Sequence, residues 1–353
     1  MHINSQFTAD DDLRRFAPCT EDSKMRNFMQ GFVVLSVLAA AVAQALPDSE
    51  EIARLNAHRH LHPVRPIAPN DNLDGGADGN TAAGDLRADV SNQAGTGTTA
   101  SPQNLVFHGG TVLNHLSVRV VYAGPKWASA AFANDKITGI DAFFGGYSGS
   151  AYATSADEYI GSNGEVGSTL RYQGHEAPSA TSVSVDGSKM NTVVAAVCGE
   201  VSRNKFVVAT GTQMIGVYTD MARPATAKYC GYHGAMSCSG QTIQYAFYWS
   251  LDGDSGCNAA DSLTGHSQGL ASLVNVTGHE VAETRTDPEL QSWFDTSGNE
   301  NADKCAWTFK HSYVTLKNGT KWKVQSIWSN AANDAGTGYP ALGGGYKACI
   351  DGQ

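Results

Sequence analysis

The chain reads as an α/β (α+β) domain in which a mixed β-sheet packs on one long helix and disulfides hold the whole together. Three observations predict this. Several short runs alternate apolar and polar residues at the strand period of two, one long run keeps the helical period, and six of the seven cysteines fall within residues 101–353.

The elements follow in order. Leu116–Tyr122 alternates as a strand. Residues 130–144 form a helix, with Phe132, Ile137, Ile140 and Phe144 on one face. Phe206–Ala209 and Met214–Tyr218 are short β-rich runs, and Ile243–Trp249 is an aromatic strand. Ser267–Thr284 is the clearest helix. Ser267 is its N-cap, Leu270, Leu273, Val274 and Val281 make its apolar stripe, and Pro288 marks its stop. Trp322–Trp328 is a late strand.

Composition narrows the function classes. Only 16% of the 353 residues are charged, against roughly 25% in typical domains, and there are 38 glycines. A net charge of −10 argues against binding nucleic acid or an anionic membrane, since both require an excess of Lys and Arg. The longest apolar run, Phe32–Ala43, is too short for a bilayer that needs about 20 helical residues. Lys24 and Arg26 precede it and Ala43-Gln44-Ala45 follows, which is the layout of a secretory signal peptide over 25–45. Residues 1–24 are then an upstream extension: the simplest account makes Met25 the initiator, and the alternative is a long n-region that still targets.

Residues 46–100 read as a disordered linker or pro-segment, too poor in apolar side chains to offset the entropy of ordering. Its alternating His58, His60 and His62 read as a solvated face rather than a metal site. Residues 101–353 form the one domain. Its own net charge is milder, with 16 basic and 21 acidic residues.

In an oxidising compartment Cys198, Cys230, Cys238, Cys257, Cys305 and Cys349 make three disulfides from 15 possible pairings. Cys19 is lost with the leader. Of two glycosylation sequons, Asn318 sits in a turn and is the better acceptor, whereas Asn275 falls within the helix.

Chemistry concentrates in Gly278-His279-Glu280-Val281-Ala282-Glu283. In the zincin pattern H-E-x-x-H, two ligands four residues apart share one helix face, and the intervening Glu is the general base. Here Glu283 replaces the second His, and a carboxylate is an acceptable zinc ligand. His279 and Glu283 thus supply two Zn2+ ligands and Glu280 the base. The third ligand comes from downstream, where Asp303 and Glu300 stand ahead of Asp295. Asp287 lies about 12 Å along the helix from residue 279 and shapes the helix exit instead. His233, in a glycine-rich loop behind Cys230, assists an oxyanion. Asp252-Gly253-Asp254 holds part of a calcium-loop pattern without its remaining spacing. Gly265-His266-Ser267-Gln268-Gly269 has the look of a nucleophile elbow, but Ser267 serves better as a helix cap.

Several stretches resemble the phosphate-induced protein 1 family, also called EXORDIUM-like proteins. They are Phe107-His108-Gly109-Gly110 with the strand after it, Cys230-Gly231-Tyr232-His233-Gly234, Thr286-Asp287-Pro288, Trp293-Phe294-Asp295, and Ile327-Trp328 with Cys349. The resemblance implies a secreted protein. Plant members act in the apoplast in growth and brassinosteroid response and lack the His-Glu pair. Microbial relatives keep H-E-x-x-E and a later pattern matched here by Gly298, Glu300, Asp303 and Cys305. The expectation is a secreted zinc metallohydrolase, a peptidase acting on extracellular protein or peptide, with no membrane span in the mature chain. The alternative is a non-catalytic EXORDIUM-like protein of the cell wall. A calcium-stabilised carbohydrate-binding module is a third, weaker class.

Overall fold

The computed structural model describes residues 48–57, 59–65, 104–176, 182–204, 212–342 and 346–353. The expected leader over 25–45, its upstream extension, His58 and the strand at 206–209 lie outside the described residues. In chain order the elements begin with α1 (Ser49–Ala57), β1 (Arg59–Pro63), β2 (Val106–Phe107), β3 (His115–Ala123), α2 (Ala130–Ala133), α3 (Lys136–Tyr147) and α4 (Ala151–Thr154). They continue with β4 (Ile160–Gly161), β5 (Gly164–Glu165), β6 (Thr169–His175), α5 (Met190–Asn204), β7 (Gln213–Ala222), β8 (Tyr229–Cys238), β9 (Gln241–Ser250) and α6 (Gln268–Thr286). The C-terminal part adds β10 (Trp293–Phe294), β11 (Val314–Thr315), β12 (Lys321–Trp322), β13 (Ile327–Trp328), α7 (Asn330–Ala335), β14 (Tyr339–Pro340) and β15 (Lys347–Ile350).

A six-stranded mixed sheet, ordered β1-β8-β9-β7-β3-β6, forms the centre. The β6, β3, β7 and β9 strands run parallel to one another, while β8 is antiparallel to β9 and β1 antiparallel to β8. Alternation sends Tyr218 and His233 toward α6, where Tyr218 bonds Thr277 and His233 faces Glu283. The opposite face carries Tyr232 and Tyr245, which bond Gly187 and Met190 on the α5 side. Both faces are therefore covered, as a sheet with parallel strands requires.

Helix α6 begins where expected. The Ser267 hydroxyl accepts the Leu270 N–H and donates to Asp135 at 2.5 Å, so it is a cap and not a nucleophile. Every residue from Gly269 to Thr286 is buried, so the helix has no solvent face and the apolar stripe understates its burial. Arg285 is likewise internal. Its guanidinium donates to Tyr147 Oη and to the carbonyls of Ala153 and Gly167, and it meets Asp157.

Several expectations need correction. The helix expected over 130–144 is two helices, α2 and α3, separated at Asn134, whose φ of 45° no helix accommodates. The strand expected over 322–328 is β12 and β13. The residues between them bond elsewhere, Gln325 N–H to Asn275 and Ser326 N–H to Thr308. Residues 48–65 are not a disordered linker, because β1 is a strand of the main sheet and Leu55 of α1 is buried. The C-G-Y-H-G stretch is not a loop but the start of β8.

Three disulfides join Cys198 to Cys238, Cys230 to Cys257 and Cys305 to Cys349. They fit an extracellular protein, and among the described residues no helix is long and apolar enough to cross a membrane. Asn275 is fully buried and bonded to Gln325, so its sequon is closed, whereas Asn318 is exposed.

The third disulfide anchors residues 300–305, which close the space beside α6. Replacing Cys305 and Cys349 together by Ser is expected to lower stability by about 4 kcal/mol on chain-entropy grounds for a closed loop of this size. Chemical denaturation of the oxidised wild type and the double variant checks it.

Candidate metal centre

The site lies in the interior between α6, β8, β1 and the segment 299–305. Helix α6 presents His279, Glu280 and Glu283 from consecutive turns. Strand β8 reaches the helix closely because Gly231 has no side chain. A Cβ there would stand 2.8 Å from Val276 Cγ1 and 3.2 Å from Glu280 Oε1. That approach brings His233 onto the Glu283 carboxylate. The 3-10 turn Asp303–Cys305 contributes Asp303, and Glu300 precedes it.

The predicted groups come together. His279 Nε2 is 3.0 Å from Glu283 Oε1 and 3.6 Å from Asp303 Oδ1. His233 Nε2 is 2.9 Å from Glu300 Oε2 and 3.6 Å from Glu283 Oε2. Three sets of side chains have ligand atoms mutually close enough to share one metal ion: His279 with Glu283 and Asp303, His233 with Glu280 and Glu283, and His60 with Glu283 and Glu300. Glu283 belongs to all three. Asp303 and Glu300, alternatives in the sequence, take different places: Asp303 stands with His279 and Glu300 with His233, while His60 meets both.

His60 and His62 were read as solvated and are in fact inside. Edge strand β1 sets His60 opposite His233 and His62 opposite Gly231. His60 Nδ1 is 3.1 Å from Glu300 Oε2, and its Nε2 bonds Asp303. The His62 ring packs 3.9 Å from that of His279. The signal was present in the sequence. Residues two apart on a strand share a face, so histidines at i and i+2 enter one site.

The remaining candidates have structural partners. Asp287 accepts the Gln291 and Ser292 N–H groups and forms the helix exit. Asp295 accepts N–H groups of Ser297 and Asn299 and pairs with Lys304. Asp252 pairs with Lys136 and Asp254 with Arg223, so neither carboxylate fits the calcium reading.

Burial governs the electrostatics. It pushes the carboxyls of Glu280, Glu283 and Glu300 well above the usual range, and their mutual repulsion adds to it. It lowers His279 to about 3 and also depresses His233 and His62. His60 is the exception. Burial opposes its charge, but Asp303 and Glu283 outweigh burial and raise it to about 9. Asp303 is correspondingly held down, against its own burial, chiefly by His60.

Whether the residues fit a metal can be judged from their unused atoms. His279 Nε2, both oxygens of Glu280, Glu283 Oε2, Glu300 Oε1 and Asp303 Oδ1 are buried without a hydrogen-bond partner. Although 3.0 Å apart, His279 Nε2 and Glu283 Oε1 miss hydrogen-bond geometry. Zinc bonds of about 2.0–2.1 Å in a tetrahedron place ligand atoms roughly 3.4 Å apart, and the 3.0 and 3.6 Å spacings bracket that value. One feature opposes the fit. Gln325 donates its amide to His279 Nδ1 at 2.7 Å, which leaves the imidazole proton on Nε2. The same amide donates to Ala302 O and accepts the Trp307 N–H. A metal on Nε2 requires the Gln325 amide to reverse.

No family model matches the chain, and neither curated proteins nor solved structures provide a match. The site is therefore read from its own geometry.

Glu280 should be a stability liability in the metal-free chain, since both its oxygens are buried and unpartnered. Glu280→Gln is expected to raise metal-free stability at pH 7 by about 1–2 kcal/mol. Thermal unfolding in a chelator checks it; a lower midpoint for the variant would contradict the reading.

Proposed function

We propose that the protein is a secreted, zinc-dependent hydrolase acting on peptide bonds, with His279, Glu283 and Asp303 as metal ligands. One observation carries this reading. A histidine and two carboxylates converge in a fully buried space, and each keeps a ligand atom without a hydrogen-bond partner. Supporting it are the H-E-x-x-E spacing on a helix beneath a mixed sheet and the adjacent Glu280.

When bound, zinc supplies Lewis acidity and makes water nucleophilic near neutral pH. The chain's residues do the rest. Glu280, one position along from His279 and free of other bonds, takes the proton of the attacking water. Burial favours its protonated form, which suits it to return that proton to the leaving amine. His233 faces the Glu283 carboxylate from the opposite side and is placed to donate to a developing oxyanion once Glu300 releases it. The buried walls exclude bulk water and so strengthen each of these contacts. The EXORDIUM-like resemblance is retained here as a proposal, in the form of its His-Glu-bearing microbial branch.

Metal analysis decides the matter. The purified secreted chain is expected to carry one zinc, and His279→Ala to carry none. A metal-free wild type, or zinc retained by His279→Ala, would overturn the assignment. Glu280→Gln is expected to keep the zinc and to lower hydrolysis of labelled casein, measured with residues 48–65 released, by roughly 10²-fold or more.

A further inference from the structure

The odd component of the site is β1. It comes from outside the segment that carries every disulfide, which runs from Cys198 to Cys349. Among the described residues, no disulfide joins 48–65 to the body. The strand occupies the edge of the sheet and pairs only with β8. A strand at that position satisfies the β8 edge through main-chain bonds, which any extended peptide can make.

Its two faces do different things. On the α5 side Arg59 lies 4.8 Å from the Tyr232 ring and donates to Gly187 O, and Leu61 is buried. These contacts fix the register. On the α6 side His60 reaches past His233 to Glu300 and Asp303. His279, Glu283 and Asp303 already provide three ligands, and a catalytic zinc site leaves its fourth position to water or substrate. His60 stands against that ligand set, on the edge strand of the sheet.

Building on the metal reading above, we propose that the β8 edge is the binding track for an extended polypeptide substrate running antiparallel to β8, and that β1 is the chain's own displaceable occupant of that track. His60 then fills the position of the substrate residue at the reacting centre. The protein is latent while 48–65 is seated and open once that segment leaves.

The test uses the full-length protein loaded with cobalt(II), whose absorption reports ligands. His60→Ala is expected to retain cobalt within about threefold of the wild-type affinity and to gain a spectral response to acetohydroxamate that the wild type lacks. A loss of affinity beyond about tenfold would make His60 a permanent ligand and overturn the proposal, as would an equal response in the wild type. A second arm places a site-specific protease sequence within residues 80–95. After cutting, a fluorescent peptide spanning 48–65 is expected to exchange into the protein, with weakened binding for its His60→Ala version, and casein hydrolysis is expected to rise. Failure to exchange shows that β1 is integral to the fold and sinks the proposal. If neither wild type nor His60→Ala binds cobalt, the metal reading fails, and peptide exchange alone decides the track.

Discussion

Four carboxylates, Glu280, Glu283, Glu300 and Asp303, occupy one space from which water is excluded, and the rest of the architecture follows from the cost of keeping them there. Isolated buried charge is expensive, so such groups need protons, cations or donors. The chain supplies too few donors. Asp303 receives the Glu300 N–H, Glu283 receives the Asp303 N–H, and Glu280 receives nothing. Histidines on three sides supply the remaining partners, and His60 alone among them is held protonated near neutrality. An arrangement that costs stability and leaves ligand atoms unused is hard to explain as packing. The three sets of mutually close histidine and carboxylate atoms are the geometry on which the metal proposal rests.

The scaffold bears that cost by being rigid around it. Helix α6 is enclosed on all sides, so its His-Glu-x-x-Glu face cannot rotate away. Arg285, two residues beyond Glu283 near the C-terminal end, is tied into three carbonyl and hydroxyl acceptors. The positive group near the helix terminus also complements the helix dipole. The Cys305–Cys349 disulfide fixes the turn that carries Asp303, and Gly231 lets β8 approach near enough for His233 to meet Glu283.

Much of this was legible in the sequence because it was local. The cap at Ser267, the stop near Pro288 and the i, i+4 ligand spacing depend only on neighbours in one helix. The strands at 116–122, 214–218 and 243–249 show in their alternation. Long-range pairing was not legible. Nothing in residues 46–100 taken alone can bury surface, so the histidines read as solvated, yet β8 offers an edge that orders them. His233 looked like a loop residue because glycine flanks it, and glycine there serves close packing against α6. Glu300 and Asp303 could not be separated by spacing, since both precede Cys305. Their division into two sets arises from a turn that sends one side chain toward His279 and the other toward His233.

Gln325 connects these two halves of the site. Its carbonyl lies 3.3 Å from His62 Nε2 on β1 and accepts the Trp307 N–H, while its amide nitrogen holds His279 Nδ1 and Ala302 O. Trp307 in turn donates from its indole to Pro63 O at the end of β1. The bonds to Trp307 and Ala302 hold the amide in the orientation that keeps a proton on His279 Nε2. Turning the amide over to present its carbonyl to Nδ1, as a metal on Nε2 demands, breaks the bonds to Trp307 and Ala302 but lets its NH2 donate to His62 Nε2, which is an acceptor because His62 Nδ1 donates to Pro63 O. His62 on the seated strand and a metal on His279 Nε2 therefore favour the same reversed amide, and Trp307 and Ala302 oppose it.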